Sequence, residues 1–231
     1  VRRLIWVVVV LLVLAIGADR VGAVLAAHVV ASKLTTSASL TTEPSVTIHG
    51  FPFLTQAISG RYDDVELVAT DLARGGVRLA KLDVSLHGVR LPLSDAISGQ
   101  VSSVPVEGIT AKAVVSYADI ASRGNITGLS VQPAGSLVKV TGRFTVLGQS
   151  VTASTESTVR ISGRTLVVAA QKLTVLGQSS SALNRALAGR LDLRVPIGAL
   201  PYDLQLTGVH ATDGGVVLDA RSGATVLRVR A

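Results

Sequence analysis

The side chains best suited to chemistry are few and scattered in this chain. Four histidines, His28, His49, His87 and His210, stand far apart, and no two have metal-ligand spacing on one helix or strand. Cysteine is absent, which removes thiolate metal sites, disulfides and an N-terminal lipidated cysteine. The nucleophile elbow G-x-S-x-G, the zinc motif H-E-x-x-H, the P-loop and G-x-G-x-x-G do not occur. Asp63-Asp64 is the carboxylate doublet that stands out, but neighbours on a strand point to opposite faces. The doublet therefore reads as a solvated turn or strand start. The expectation is a protein that is not an enzyme, with no cofactor, no catalytic residue and no metal.

The elements around these residues carry more information. Arg2 and Arg3 stand directly before an uncharged apolar run over residues 4–18. Such a basic pair stays cytoplasmic, so the chain beyond the apolar run is expected to be exported. The fifteen residues of the run fall between a signal-peptide core of about 7–15 and a spanning helix of about 20. Two readings stay open. One is a signal peptide cleaved at Ala18 or at Val21-Gly22-Ala23; the other is an uncleaved anchor extended by the next helix. The expected organisation is a signal or anchor over 1–18 and one exported domain over 19–231. That domain would lie in the periplasm or cell envelope, held at the membrane by its N-terminal segment or secreted after cleavage.

Basic residues outnumber acidic ones by 22 to 15, a net charge of +7. This suits an anionic membrane surface or cell wall, and equally an ordinary solubilising surface. Aromatic residues make up only 3% and Lys/Arg do not cluster, which argues against a nucleic-acid partner.

Val21, Val24, Leu25, His28, Val29 and Ser32 recur at helical spacing and predict an amphipathic helix over about 19–33, followed by a Ser/Thr-rich loop over 35–42. The period then becomes two. Val65, Leu67 and Ala69 alternate with polar residues, as do Leu82, Val84 and Leu86. Glycines at Gly75-Gly76, Gly142, Gly163 and Gly214-Gly215 read as turns or bulges. Eight to eleven mostly antiparallel strands are expected, because most connections are too short for helical crossovers. Short helices are expected at Phe53–Ser59, Leu93–Ser98, Tyr117–Ser122 and 181–189. The segment FPFLTQAISG at 51–60 is echoed by LPLSDAISG at 91–99, and TVLGQS occurs at 145–150 and 174–179. These echoes suggest a strand-to-short-helix unit reused along one long sheet.

Hydrophobic residues make up 48% of the chain, with no methionine and almost no aromatics. A sheet of Val, Leu, Ile and Ala wrapped around one helix can leave an aliphatic channel for acyl chains, which need shape and apolar area. A solid core that merely lacks aromatics fits the same composition.

Particular motifs bear on that choice. The run Gly50-Phe51-Pro52-Phe53-Leu54-Thr55-Gln56, with Thr42-Glu43-Pro44 before it and Gly60-Arg61-Tyr62-Asp63 after it, resembles the actinobacterial LmeA-like phospholipid-binding family. So do Leu86-His87-Gly88-Val89-Arg90-Leu91-Pro92-Leu93, Ser103-Val104-Pro105-Val106 and Leu191-Asp192-Leu193-Arg194-Val195-Pro196. Leu206-Thr207-Gly208-Val209 and Asp213-Gly214-Gly215 extend the likeness to about residue 220. The resemblance implies an α+β, TULIP-like tube: a long antiparallel sheet curled around an N-terminal amphipathic helix. It also implies phospholipid or glycolipid binding in the cell envelope, in support of lipomannan-type lipoglycan assembly. It carries over no catalytic residue.

The residues of the signature suggest where a lipid would sit. Pro52 and Pro92 each end a strand or open a short helix. Phe51, Phe53, Leu54 and Ile58 form one apolar cluster, and Leu91, Leu93 and Ile97 repeat it. These seven are the candidate lipid-binding residues, as the lip of a groove or as plugs that close a core. Arg61, Arg90 and Arg194 flank the motifs and either meet a lipid phosphate or stand solvated. The alternative function is a non-catalytic scaffold of an envelope glycosyltransferase complex, with the groove docking a protein segment.

Overall fold

The computed structural model describes residues 2–37, 40–74, 77–98, 101–124, 126–146, 149–176, 191–197 and 200–228. A single helix, α1 (Arg2–Ser37), runs without a break from the basic pair through the apolar run and on into the domain. By length and composition it can cross a membrane. It extends into the stretch read as a loop because the Thr35 and Thr36 hydroxyls donate to the Ala31 and Ser32 carbonyls at 2.9 and 3.2 Å, which keeps both hydroxyls satisfied inside the helix.

The second half of α1 turns a different face inward from the one its periodicity suggests. Asp19, Ala23 and Ala31 are buried, while Val21, Val24, Leu25 and Val29 are 58, 68, 62 and 53% exposed. Small side chains explain the reversal. Ala23 and Ala26 share a cluster with Ile48 and Val65, and a Cβ on Gly22 would stand 3.4 Å from the Phe53 ring. The alanine side permits this approach and the valine side does not.

After α1 come β1 (Ser45–His49), α2 (Phe53–Ser59), β2 (Arg61–Arg74), β3 (Val77–Arg90) and α3 (Leu93–Ser98). Next are β4 (Ser103–Val106), β5 (Gly108–Val115), α4 (Tyr117–Ser122), β6 (Ser130–Ala134), β7 (Leu137–Val146), β8 (Gln149–Ser162) and β9 (Thr165–Leu176). The chain closes with β10 (Leu193–Pro196), β11 (Gln205–Thr212), β12 (Gly215–Ser222) and β13 (Thr225–Arg228). The helix expected at 181–189 and the Gly75-Gly76 turn lie outside the described residues.

These strands form three antiparallel sheets rather than one long sheet. The largest has the order β1-β2-β3-β5-β12-β11, the second β10-β9-β8-β7-β6, and β13 pairs with β4. A twisted sheet covers its apolar face by packing on another. Here α4 carries the chain from β5 to the second sheet, and the β11–β12 hairpin brings it back. One core lies between the two large sheets and includes Ile120, Val138, Val140, Leu166, Val168 and Val216. A second core joins α1 and α2 to the other end of the large sheet through Ala23, Phe53, Tyr62, Val89, Val106 and Ile109.

Gly142 is not a turn. It lies inside β7 opposite Ala153, and a Cβ there would approach Ile126 Cγ2 to 2.7 Å and Leu191 Cδ2 to 3.2 Å. Its missing side chain lets these residues cross the strand. Gly163, at φ +59°, does turn the chain between β8 and β9.

Ser157 on β8 is fully buried, and its hydroxyl has no hydrogen-bond partner among the described residues. An orphaned buried hydroxyl destabilises by about 1–3 kcal/mol. Ser157→Ala is therefore expected to stabilise the protein by about 1 kcal/mol, read as a shift in the denaturant midpoint at unchanged slope. A destabilised variant would show that the hydroxyl is satisfied.

Candidate functional site

The two echoed segments come together at one end of the large sheet. Gly60 closes α2 in the left-handed region at φ +65° and returns its N–H to the Ala57 and Gln56 carbonyls. Its own carbonyl accepts the Leu91 N–H at 2.9 Å, which ties the second segment to the first. Pro52 supplies no side-chain cap for α2. Asp19 takes that role from α1, with Oδ1 accepting the Leu54 N–H at 2.8 Å and Oδ2 bound by Arg20 at 2.7 Å.

The seven candidate lipid residues separate within this corner. Phe53 is buried at 6% in the second core, tilted against Tyr62 at 6.3 Å between ring centroids. Leu91 is half-buried against the same core. Phe51, Leu54 and Ile58 face outward. Leu93 and Ile97 are on α3, and their side chains lie outside the described set.

Two of the three candidate arginines meet. Arg61 and Arg90 are direct cross-strand partners on β2 and β3, and both are exposed. Arg90 binds Glu107 at 2.7 Å. That hydrogen bond and the Arg90 charge, helped by Arg61, hold the Glu107 carboxyl below its ordinary value. The pairing is thus complete at neutral pH and is lost as pH falls through the lowered value. Arg194 is elsewhere, on β10. It lines a cleft of about 300 Å³ with Ile120, Arg123 and Asp192. A neighbouring cleft of about 350 Å³ shares Ile126 and is lined by Arg143 and Phe144.

Each histidine stands beside a carboxylate. His49 meets Glu66 at 2.9 Å, His87 meets Asp64 at 3.0 Å, His210 meets Asp219 at 3.3 Å and His28 meets Glu43 at 3.5 Å. Asp64, with Asp63, lies near the start of β2, the strand-start alternative rather than the turn, and sits beside His87. Among the described residues no group of three or more His, Cys, Asp or Glu side chains is placed to hold a metal ion.

A broad apolar feature is the inner face of the six-stranded sheet. Register places Val46, Leu67, Val84, Ala111, Ala220 and Leu206 in one row that crosses all six strands. A second row, Ala69, Leu82, Ala113, Leu218 and Val209, crosses five of them. Ala69, Ala111 and Ala220 form a low floor at 3, 7 and 6% exposure. Beside them Val46, Leu67 and Leu82 are half-buried and belong to neither core cluster. Six strands span five spacings of about 4.8 Å, or about 24 Å. The opposite face carries His49, Glu66, Lys81, Asp83 and His210, so the sheet is apolar on one side and ionic on the other.

A family model described as LmeA-like phospholipid-binding matches residues 17–221. The chain belongs to this family. The LmeA-like match begins at Gly17, two residues before Asp19, and ends at Arg221 on β12, so it takes in both cores and both aliphatic rows. Phospholipid binding is thus the property by which this family is described. No curated protein and no solved structure matches the chain.

Sequence reasoning singled out the signature segments and passed over the rows. The signal for the rows was present in the alternation at Leu67, Ala69, Leu82 and Val84 and in the alanines at Ala111, Ala113 and Ala220. It read as ordinary strand because strand order alone aligns these positions.

Proposed function

We propose that this LmeA-like chain is a non-enzymatic phospholipid or glycolipid carrier of the cell envelope, holding acyl chains along the aliphatic rows of the six-stranded sheet. The observation that supports this reading is the row from Val46 to Leu206, apolar on every strand, with alanines along the floor; Val46 and Leu67, beside Leu82, are half-buried and in neither core, while Val84 and Leu206 border the two cores. An acyl chain gains about 0.8 kcal/mol for each methylene it buries, so a smooth aliphatic bed suffices and no charged residue is needed to hold the tail. The long helix against an antiparallel sheet suits a TULIP-like tube. Arg61 and Arg90 at its α2 end are the proposed headgroup contacts there. Export, membrane association through the apolar helix and delivery of lipid to lipoglycan-assembling glycosyltransferases complete the proposed role.

The test is native mass spectrometry of the chain from Gly17 onward, which keeps Asp19 on α2. The expected result is a stoichiometric phospholipid or glycolipid that is released on denaturation and identified by extraction. A mass that stays ligand-free after incubation with phospholipid vesicles would overturn the carrier.

A further inference from the structure

The corner built from α1 and α2 buries Phe53 and Ala57 in the second core but also leaves large apolar side chains in the open while burying polar ones. Gln56 points inward at 8% exposure and both ends of its amide are engaged, Nε2 donating to the His49 carbonyl at 3.2 Å and Oε1 accepting the Asp63 N–H at 2.9 Å. Leu54 and Ile58, one helical turn apart on the same face, are 44 and 80% exposed, and Phe51 just before them is 62% exposed. On a watery surface the Leu54–Ile58 pair would turn inward and Gln56 outward. The neighbouring turns of α1 repeat the pattern: Asp19 is buried under α2, whereas Val21, Val24 and Leu25 face out.

Length identifies what covers this surface. A bilayer core of about 30 Å needs about 20 helical residues at about 1.5 Å each. Counted from Leu4, the uncharged run to Ala18 supplies only about 22 Å. The full thickness is reached about five residues later, close to Ala23. Yet α2 is fastened to α1 at Asp19 and Gly22, before that thickness is complete. A bilayer that accepts the run therefore meets α2 at the same depth.

We propose that α2 is seated in the interface of the bilayer that α1 enters, with Phe51, Leu54 and Ile58 among the lipid tails. Val21, Val24 and Leu25 complete the apolar span. Arg20 stands 5.1 Å over the Phe51 ring, half-exposed, where its guanidinium reaches the headgroup layer while its stem stays with the ring. Asp19 opposes that charge from within the protein. The proposal rests on the reading of α1 as a membrane helix. It adds a second, non-covalent contact that fixes the domain against the bilayer rather than leaving it to swing from one helix.

The chain has no cysteine, so one introduced cysteine carries a nitroxide at a unique position. The full chain is reconstituted in phosphatidylcholine–phosphatidylglycerol vesicles as Leu12→Cys, Phe51→Cys, Ile58→Cys or Thr47→Cys. Thr47 is an exposed site on the ionic face of the sheet. Collision rates are read with oxygen, which concentrates in hydrocarbon, and with a water-soluble nickel chelate. The expected oxygen-to-nickel ratio at Phe51 and Ile58 exceeds Thr47 several-fold and stays below Leu12, which lies near the middle of the span. A hydrocarbon signal at Leu12 with an aqueous one at Phe51 and Ile58 would overturn the seat and leave the anchor standing. An aqueous signal at all four positions would overturn the anchor and the seat with it. Labels at Phe51 and Ile58 shielded from both reagents and broadened by a neighbouring spin would assign the surface to a second copy of the chain, against the proposal.

Discussion

Leu67→Glu combined with Leu82→Glu is expected to weaken phospholipid binding about a hundredfold while the protein stays folded. The two leucines stand on neighbouring strands of the same aliphatic face, in adjacent rows, with Leu67 opposite Val84 and Leu82 opposite Ala69. A carboxylate there stays hydrated only if the acyl chain withdraws. Withdrawal over about four methylenes at about 0.8 kcal/mol each loses about 3 kcal/mol, or about two decades of affinity. Both side chains are half-buried and outside the two core clusters, so solvent reaches the new carboxylates and the fold tolerates them. Thr47→Glu, on the ionic face, is the matched control and should bind lipid as the parent does. The measurement is equilibrium binding of a fluorescent phospholipid, with thermal unfolding followed in parallel. Unchanged binding in the double variant would move the lipid away from these rows, whatever the family's property.

The second large effect concerns stability. Ile120→Ala is expected to cost about 2–5 kcal/mol, the usual result of emptying a fully buried aliphatic site. Ile120 is 0% exposed at the centre of the core between the two large sheets. It is delivered there by α4, a helix of only six residues, which could not persist alone. Ser116 caps it by accepting the Asp119 N–H at 3.1 Å, and the Tyr117 hydroxyl donates to the Thr212 carbonyl at 2.6 Å, holding α4 to the β11–β12 hairpin. With helix ends already fixed, little relaxation can fill the cavity, which places the expected cost in the upper half of the range. Urea unfolding at constant slope measures it. A loss below about 1 kcal/mol would mean that α4 is not part of the central core.

Local patterns account for much of the architecture. The period-two alternation at Val65–Leu67–Ala69 and Leu82–Val84–Leu86 specified antiparallel strands, because a strand with one wet face must alternate. Proline and glycine bounded α2, since Pro52 cannot continue a preceding strand and Gly60 takes the left-handed conformation that ends a helix. The apolar run 4–18 specified a helix without a polar stripe, and the run of signature motifs placed the chain in its family.

Other features were decided by tertiary structure, for reasons of distance and contact. The periodicity of Val21, Val24, Leu25 and Val29 marked an apolar stripe on α1 but not what it faces; the close approach of Phe53 to Gly22 gave the inner side to the alanines. Gly142 carries no sign in sequence of whether it turns a chain or clears a path, and Ile126 crossing β7 decides it. Arg61 and Arg90 are far apart in sequence and adjacent in register, whereas Arg194, in an equally persuasive motif, belongs to the other sheet. The aliphatic rows depend most on the whole fold. Each strand contributes one or two residues to them, and only the order β1-β2-β3-β5-β12-β11 lines those residues up into a continuous apolar bed. Alternation is a property of one strand and follows from the pleat, while a surface long enough for an acyl chain exists only once six strands pair in register.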